Sequence, residues 1–510
     1  MDPAVGSAVP RLAVEHLTKC FGLVVANDDI SLAVMPGELH CLLGENGAGK
    51  STLSACLFGL YQPDSGRIAV DGRSLTLKSP LDAIRAGIGM VHQHFVLVPR
   101  FTVLENITVG TGRGIRLKLG EARRKVLQVC SRFDIRIDPD ARIADLSVGE
   151  QQWVEIVKAL YLGARVLLLD EPTAVLTPEE AKRLFAIVRH LTASGVTVVL
   201  ITHKMNEVML SDRVSVLRRG RLIATVRTAE TSRDELTMMM VGRTVAGIRR
   251  EAAASPSGPI LRIEGLGLRR GGRDRLSDIT LTVEGGQIVG IAGVAGNGQD
   301  ELFAVVAGIE APDRGRIAVG ETSLAGLTPR DVAALGVGYV PNDRFRDGLV
   351  PDFTIAENVA LGQQWGLYRR GPLLDRQAMK AAGEAAISRY AIAGAPGIAV
   401  RRLSGGNAQK VILAREFAKA TRLLLCNQPT RGLDVGVTEF VHAQLLAKRD
   451  AGCAVLFASE ELDDLIALSD RIAVMFEGSI LDILPRERAD TAAIGRLMAG
   501  HAPDNRPAAA

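Results

Sequence analysis

Aromatic residues are scarce, making up 4% of 510 positions, which argues against a surface on which bases stack. Net charge is small as well. The 61 Lys and Arg against 57 Asp and Glu leave a formal +4, too weak a field to mark nucleic acid as a partner. No uninterrupted apolar run reaches about 18 residues, so no segment is expected to span a membrane by itself. The opening MDPAVGSAVPRLAVEHL lacks a basic start followed by an apolar stretch and does not read as a secretory signal. The six cysteines are scattered without a CxxC pair, which predicts reduced thiols rather than a disulfide framework or a zinc site.

What is present is a core-forming composition, 47% apolar and 23% charged, in a chain long enough for more than one domain. Two halves align along their length. ISLAVMPGELHCLLGENGAGKST answers ITLTVEGGQIVGIAGVAGNGQDE, LSVGEQQWVEIVKALYLGARVLLLDEPTAVL answers LSGGNAQKVILAREFAKATRLLLCNQPTRGL, and SDRVSVLRRG answers SDRIAVMFEG. A repeat of about 250 residues is a domain rather than a solenoid unit. Residues 11–245 are expected to form one domain and 259–500 the other. The small-residue and Pro stretch 246–258 would be a linker and 501–510 a frayed tail. Apolar, β-branched runs at Arg165–Leu169 and Val196–Ile201 read as buried parallel strands. Pro178–Ser194 reads as a helix, with Thr177 as its N-cap and Glu179 and Glu180 in its first turn. The fold class is therefore α/β with a mostly parallel sheet.

Gly44-Glu45-Asn46-Gly47-Ala48-Gly49-Lys50-Ser51 fits G-x-x-x-x-G-K-[ST], after strand-like LHCLL and before a helix-like run opened by Ser51 and Thr52. The glycines let backbone N–H groups wrap phosphates at a helix N-terminus. Lys50 would neutralise the β- and γ-phosphates of ATP, and Ser51 would hold Mg²⁺. The strand-like RVLLLDE ends in Asp170 and Glu171, which would support the metal and polarise the attacking water. Alone, an acidic pair after a strand is usually a solvated turn; the P-loop upstream and the Pro-Thr that follows reverse that reading.

Leu146-Ser147-Val148-Gly149-Glu150 and Leu403-Ser404-Gly405-Gly406-Asn407, each shortly before its acidic-pair strand, resemble the LSGGQ signature of ABC ATPases. The resemblance covers nearly the whole chain. It implies two tandem P-loop domains, each with a mostly parallel core, an N-terminal antiparallel part and a helical subdomain. By position, Gln93 matches the glutamine that contacts Mg²⁺ and senses the membrane subunit. His203 matches the switch histidine at the γ-phosphate, and Phe21 matches the ring that stacks on adenine. His92 and His94 flank Gln93 without a carboxylate or thiol at ligand spacing, so they are not expected to bind metal.

The second half departs at five places. Gln299 replaces Lys50, Asp300 replaces Ser51, Asn427-Gln428 replace Asp170-Glu171, Asn342 stands for Gln93, and Ser459 aligns with His203. Neither amide can carry negative charge to a metal or accept a proton from water. In the family each nucleotide lies between the P-loop of one domain and the signature of the other. Sorted that way, Lys50, Ser51, Gln93, Asp170, Glu171 and His203 join Ser404, Gly405, Gly406 and Asn407. Asp434, in RGLD, would serve that same competent site, and Thr177 the degraded one.

The AGNGQ loop, PNDRFRDGL and NQPTRGLDVG resemble the ATPase subunit of bacterial simple-sugar importers, whereas HQHFVLVP and KALYLGARVLLLDEPTAVLTP lean to the nucleoside branch. The implied partners are integral-membrane permeases and, indirectly, a periplasmic or lipoprotein solute-binding protein. Two copies of the chain are possible, but its own halves are expected to pair. The expected place is the cytoplasmic face of the membrane, as a peripheral subunit. Monosaccharide import is the close alternative, and a soluble tandem ATPase on ribosomes the remote one. That rival group carries a long charged linker and two competent sites, features missing here.

Overall fold

The computed structural model describes residues 9–22, 24–92, 96–109, 119–174, 176–242 and 257–501. Gln93, His94, most of the expected linker and the tail beyond His501 lie outside them. The chain divides into two compact units, residues 1–245 and 246–510.

In the first unit six strands form one sheet in the order Arg221–Arg227, Arg213–Arg218, Leu39–Gly44, Thr197–Thr202, Val166–Asp170, Ile88–Val91. All neighbours are parallel except the outermost pair, where Arg221–Arg227 runs back along Arg213–Arg218. A strand buried on both faces is mostly apolar, and Leu39–Gly44 and Thr197–Thr202, buried at every position, carry only His40, Thr197 and Thr202 as polar exceptions. Successive side chains point to opposite faces, so each strand feeds two cores. Leu167, Leu169, Val198 and Leu200 pack on one side with the helices Val103–Thr108, Leu119–Arg132, Val148–Tyr161 and Pro178–Ala193. Leu168, Val199 and Ile201 pack on the other with the helix Lys50–Leu57 and a four-stranded antiparallel sheet. That sheet runs Val24–Val34, Leu12–Phe21, Ser65–Val70, Arg73–Leu75.

The second unit repeats this order: Ser479–Pro485, Arg471–Phe476, Ile288–Ala292, Ala454–Ala458, Leu423–Asn427, Val337–Val340. Its antiparallel sheet is Arg273–Glu284, Pro259–Arg270, Arg314–Val319, Thr322–Ser323. The strands expected at Arg165–Leu169 and Val196–Ile201 each lie one residue further on. Arg165 is instead an exposed partner of Asp71, its Nη1 2.6 Å from Oδ2. The helix after Thr177 spans Pro178–Ala193 with Ser194 as its C-cap, and Thr177 closes a reciprocal capping box with Glu180.

Strand register corrects one sequence alignment. Glu171 N–H donates to Ile201 O and Gln428 N–H to Ala458 O. Thr202 Oγ1 accepts from Lys204 N, and Ser459 Oγ from Glu461 N. Ser459 is thus the counterpart of Thr202, and the residue in the place of His203 is Glu460.

Candidate functional site

The first unit's loop between Leu39–Gly44 and Lys50–Leu57 turns through Gly47 at φ 80° and Gly49 at φ 100°. Gly49 has no room for a side chain: a Cβ would lie 2.4 Å from the Ala26 carbonyl oxygen and 2.6 Å from Asn27 Nδ2. Asn27 is fully buried and its Nδ2 donates to Gly49 O at 3.1 Å, pinning the loop to the antiparallel sheet. Lys50 is 5% exposed, and its Nζ donates to the carbonyls of Gly44 at 2.6 Å and Glu45 at 3.0 Å. Burial lowers its pKa, while the charges of Glu171 and Asp170 pull the other way.

The two carboxylates behave differently. Asp170, at the end of its strand, is pushed up to about 6, first by burial and then by the charge of Glu171, against Lys50. Glu171 is held below the usual carboxylate range, chiefly by the hydrogen bond from His203 Nδ1 to its Oε1 at 2.9 Å. Its backbone sits at φ 44°, a left-handed conformation that a non-glycine residue adopts at a cost of roughly 1–2 kcal/mol. A base aimed by a histidine, a second carboxylate short of counter-charge, a buried ammonium and a backbone cradle form a fitting receptacle for a triphosphate and a divalent cation. Ser51 lies at the first turn of the loop's helix. Phe21 ends its strand with 43% exposure, edge-on to Tyr61 at 5.2 Å, leaving a ring available to a flat partner. His92 stacks edge-on against Phe58, and among the described residues no cluster of metal-ligating side chains forms around it.

The second unit keeps the cradle without the charge. Gly296 and Gly298 adopt φ 89° and 102°. Gln299 is 7% exposed, and its Nε2 donates to Val294 O at 3.1 Å, the same bond five residues back that Lys50 makes to Glu45. The metal positions become a closed amide–carboxylate cluster. Asp300 Oδ1 accepts from Asn427 Nδ2 at 2.6 Å and from Asn342 Nδ2 at 3.3 Å, and Asn342 Oδ1 accepts from Arg431 Nη1 at 3.2 Å. Gln428, at φ 54°, accepts from Glu460 N–H at 2.9 Å in place of the Glu171–His203 pair.

The signatures differ at a helix N-terminus, where the backbone partial charge is positive. Ser404 caps Gly405–Lys419 and the residue three on is Asn407, which is neutral and turned to Ala393 N–H at 2.7 Å. Ser147 caps Val148–Tyr161, and there Glu150 returns its carboxylate to Ser147 N–H at 2.8 Å. One end stays receptive to an anion; the other carries its own. Gly406 lies beside Asp434, whose Oδ2 would be 3.9 Å from a Cβ there. Asp434 also caps Val435–Asp450 through Val437 N–H at 2.8 Å.

Comparison with known proteins identifies the family. The ABC transporter family matches residues 27–174 and 276–431. The nucleoside import ATP-binding protein NupA of Lactococcus lactis subsp. cremoris is 44% identical over 494 residues, 95% of this chain and 97% of that protein. The chain belongs to the ABC transporter family. It is an ABC ATPase of the sugar- and nucleoside-importer type, whose domains bind ATP and couple its hydrolysis to transport. Two further relatives are the guanosine import ATP-binding protein NupO of Bacillus subtilis, 45% identical over 95% of this chain and 96% of that protein, and the glucose import ATP-binding protein TsgD13 of Haloferax volcanii, 42% identical over 96% of each.

Two features of this ABC ATPase carry no sequence motif of their own. One is Asn27. The other is a bond repeated in both halves: Thr173 Oγ1 to Glu207 in the first, Thr430 Oγ1 to Asp464 Oδ2 at 3.1 Å in the second. It ties the turn after the acidic or amide pair to the helix that follows the switch position. The Pro-Thr in both repeats is its only trace in the sequence.

Proposed function

We propose that this chain powers import of nucleosides by hydrolysing Mg-ATP at a single competent site, with the second P-loop reduced to a structural partner. The observation that carries the reading is the contrast at one position: Glu171 is an ionised carboxylate aimed by His203, whereas Gln428 is an amide holding a backbone N–H. In this reading Lys50 leaves its loop carbonyls to bind the β- and γ-phosphates, and Glu171 takes the proton of the attacking water. His203 fixes that carboxylate and contacts the γ-phosphate. Ser51, Gln93 and Asp170 hold Mg²⁺, which supplies charge neutralisation on the phosphates. Phe21 stacks on adenine. Ser404, Gly405, Gly406, Asn407 and Asp434 complete the site from the other half, where the neutral Asn407 leaves the helix N-terminus open to the anion.

Coupling runs through a permease. The first unit has an apolar groove of about 220 Å³ lined by Phe58, Ile84, Met90, His92, Val96 and Leu162. We assign it to a helix of the permease. No described helix is long and apolar enough to cross a membrane, and on this reading the subunit sits at the cytoplasmic face as a peripheral partner. A solute-binding protein joins the system on the far side. Nucleosides are favoured by the two relatives that carry nucleoside and guanosine in their names; the glucose and ribose relatives, at 42% and 41%, favour monosaccharides as the second reading. Capture of the tagged chain from detergent-solubilised membranes tests both. Polytopic permeases with a binding protein loaded with a nucleoside support the proposal. A bound monosaccharide moves it to the second reading, and ribosomal proteins in the soluble fraction overturn it.

A further inference from the structure

In the second unit the segment after Val337–Val340 is built around one arginine. Asp343 opens the turn Arg344–Gly348 by accepting from Phe345 and Arg346 N–H at 3.0 Å each. Buried Arg415 closes it, donating Nη2 to Gly348 O at 2.7 Å. From this braced turn the half-buried Arg344 side chain reaches two other elements at once. Its Nη1 donates to Gly405 O at 3.0 Å, in the first turn of the signature helix, and its Nη2 to Arg431 O at 2.6 Å, in the loop that ends at Asp434. The Arg431 side chain answers in the opposite direction, with Nη1 on Asn342 Oδ1 at 3.2 Å. The contacts are close: a Cβ on Gly432 would lie 3.1 Å from Arg344 Nη2, and one on Gly405 3.2 Å from Nη1. Burial lowers the Arg344 pKa, yet a guanidinium keeps its charge under such conditions. The first half has neither partner: residues 92–99 read HQHFVLVP, without an arginine, and Ala174 stands where Arg431 stands.

We propose that Arg344 is a positioning residue for ATP hydrolysis, fastening the signature Ser404-Gly405-Gly406 and the Asp434 loop to the segment after Val337–Val340 so that the three move as one block. This rests on the composite-site reading above. The half that has lost its own chemistry then still contributes to turnover, by presenting the signature and Asp434 to the competent site in a geometry set from the segment aligned with Gln93. The role demands a planar fork, because one side chain must satisfy two carbonyls on different elements, and a lysine ammonium on a flexible stem does not replace it.

The test uses the full chain, four single variants, Arg344→Lys, Arg344→Gln, Ser404→Ala and Asp434→Ala, and one double variant of Arg344→Lys with Asp434→Ala, with steady-state ATPase, binding of a fluorescent ATP analogue and thermal melting measured on each. The expected result for both Arg344 variants is a fall in kcat of about tenfold, with nucleotide affinity and melting temperature unchanged, because the P-loop is untouched. Combining Arg344→Lys with Asp434→Ala is expected to cost less than the product of the two single losses, since both act on one block. Unchanged turnover in the Arg344 variants, with Ser404→Ala inactive, overturns the proposal and leaves the composite site standing. Full turnover in Ser404→Ala overturns the composite site and this inference with it. Loss of kcat in step with loss of melting temperature in both Arg344 variants reduces the residue to a fold-stabilising tie and overturns the positioning role.

Discussion

Lys50 and Gln299 occupy the same place in two loops of the same shape and donate the same hydrogen bond five residues back. Only one brings a charge. Around Lys50 stand Asp170 and Glu171, both carboxylates; around Gln299 the one carboxylate has moved to Asp300 and is satisfied by amides from Asn427 and Asn342. The first site has electrostatic demands that its own residues leave unmet, which is what a site for an anion and a cation requires. In the second, the Asp300 carboxylate is met by amides of its own half. Loop shape and charge are therefore separable: glycine placement and a carbonyl-directed donor hold the loop in both halves, and only the first adds an ammonium.

The comparison breaks most sharply at Glu171. Glu171→Gln should lower phosphate release by roughly 10²–10⁴-fold, the range for a lost general base, and Gln428→Glu should restore none of it. Substantial turnover left in Glu171→Gln would mean the second half hydrolyses ATP after all. The next contrast lies beneath the groove. In the second unit Glu416 is buried among Arg415, at 2.5 Å, and Lys419, at 3.1 Å, where the first has Ala159 for Glu416, Lys158 for Arg415 and Leu162 for Lys419. Burial raises the Glu416 pKa, but the two cations outweigh it and hold it below the ordinary value. Glu416→Gln should cost about 3–5 kcal/mol by denaturant unfolding, since it strands two cations. The sign for pH follows from the lowered pKa: this contribution is complete above the unfolded value of about 4.5 and is lost as pH falls through the folded one. The destabilisation by Glu416→Gln should accordingly shrink in acid.

A milder change makes the first loop imitate the second. Lys50→Gln should leave the melting temperature near that of the parent, because Gln299 shows that an amide can hold the loop, while ATP binding weakens by roughly 10–100-fold from loss of a charged hydrogen bond. Unfolding of Lys50→Gln would show that the two loops are held differently. The smallest effect is expected at the first signature. Val148→Gly with Glu150→Asn should change turnover by less than about twofold, as for surface substitutions away from a working site. A large gain or loss there would place the first signature at a working site.

The glycine loop and the carboxylate pair are legible in the sequence because their chemistry dictates residue type and spacing together. Asp170, Glu171 and His203 do converge, and the helix cap at Thr177 forms as its residues predict. The counterpart of His203 in the second half is not legible in the same way. The segment after the switch position differs in length between the repeats, and apolar periodicity does not say where a gap falls; backbone pairing does, and it selects Glu460 over Ser459. Asn27 and Arg344 are illegible for another reason. Each acts on a partner distant in the chain, Gly49 for the one and Gly405 with Arg431 for the other, and nothing local marks a long-range hydrogen bond.

Glu171 and Gln428 share an uncommon left-handed backbone, φ 44° and 54°, and both are tethered through their N–H to the neighbouring strand. The second unit has kept this strained turn although no base sits on it. The two halves share one scaffold at this turn, whichever side chain it carries. Rebuilding that site would start from new side chains on a turn whose main chain is already in place. On the proposed single-site reading, the chain is a one-stroke engine that still carries the main-chain turn of a second stroke.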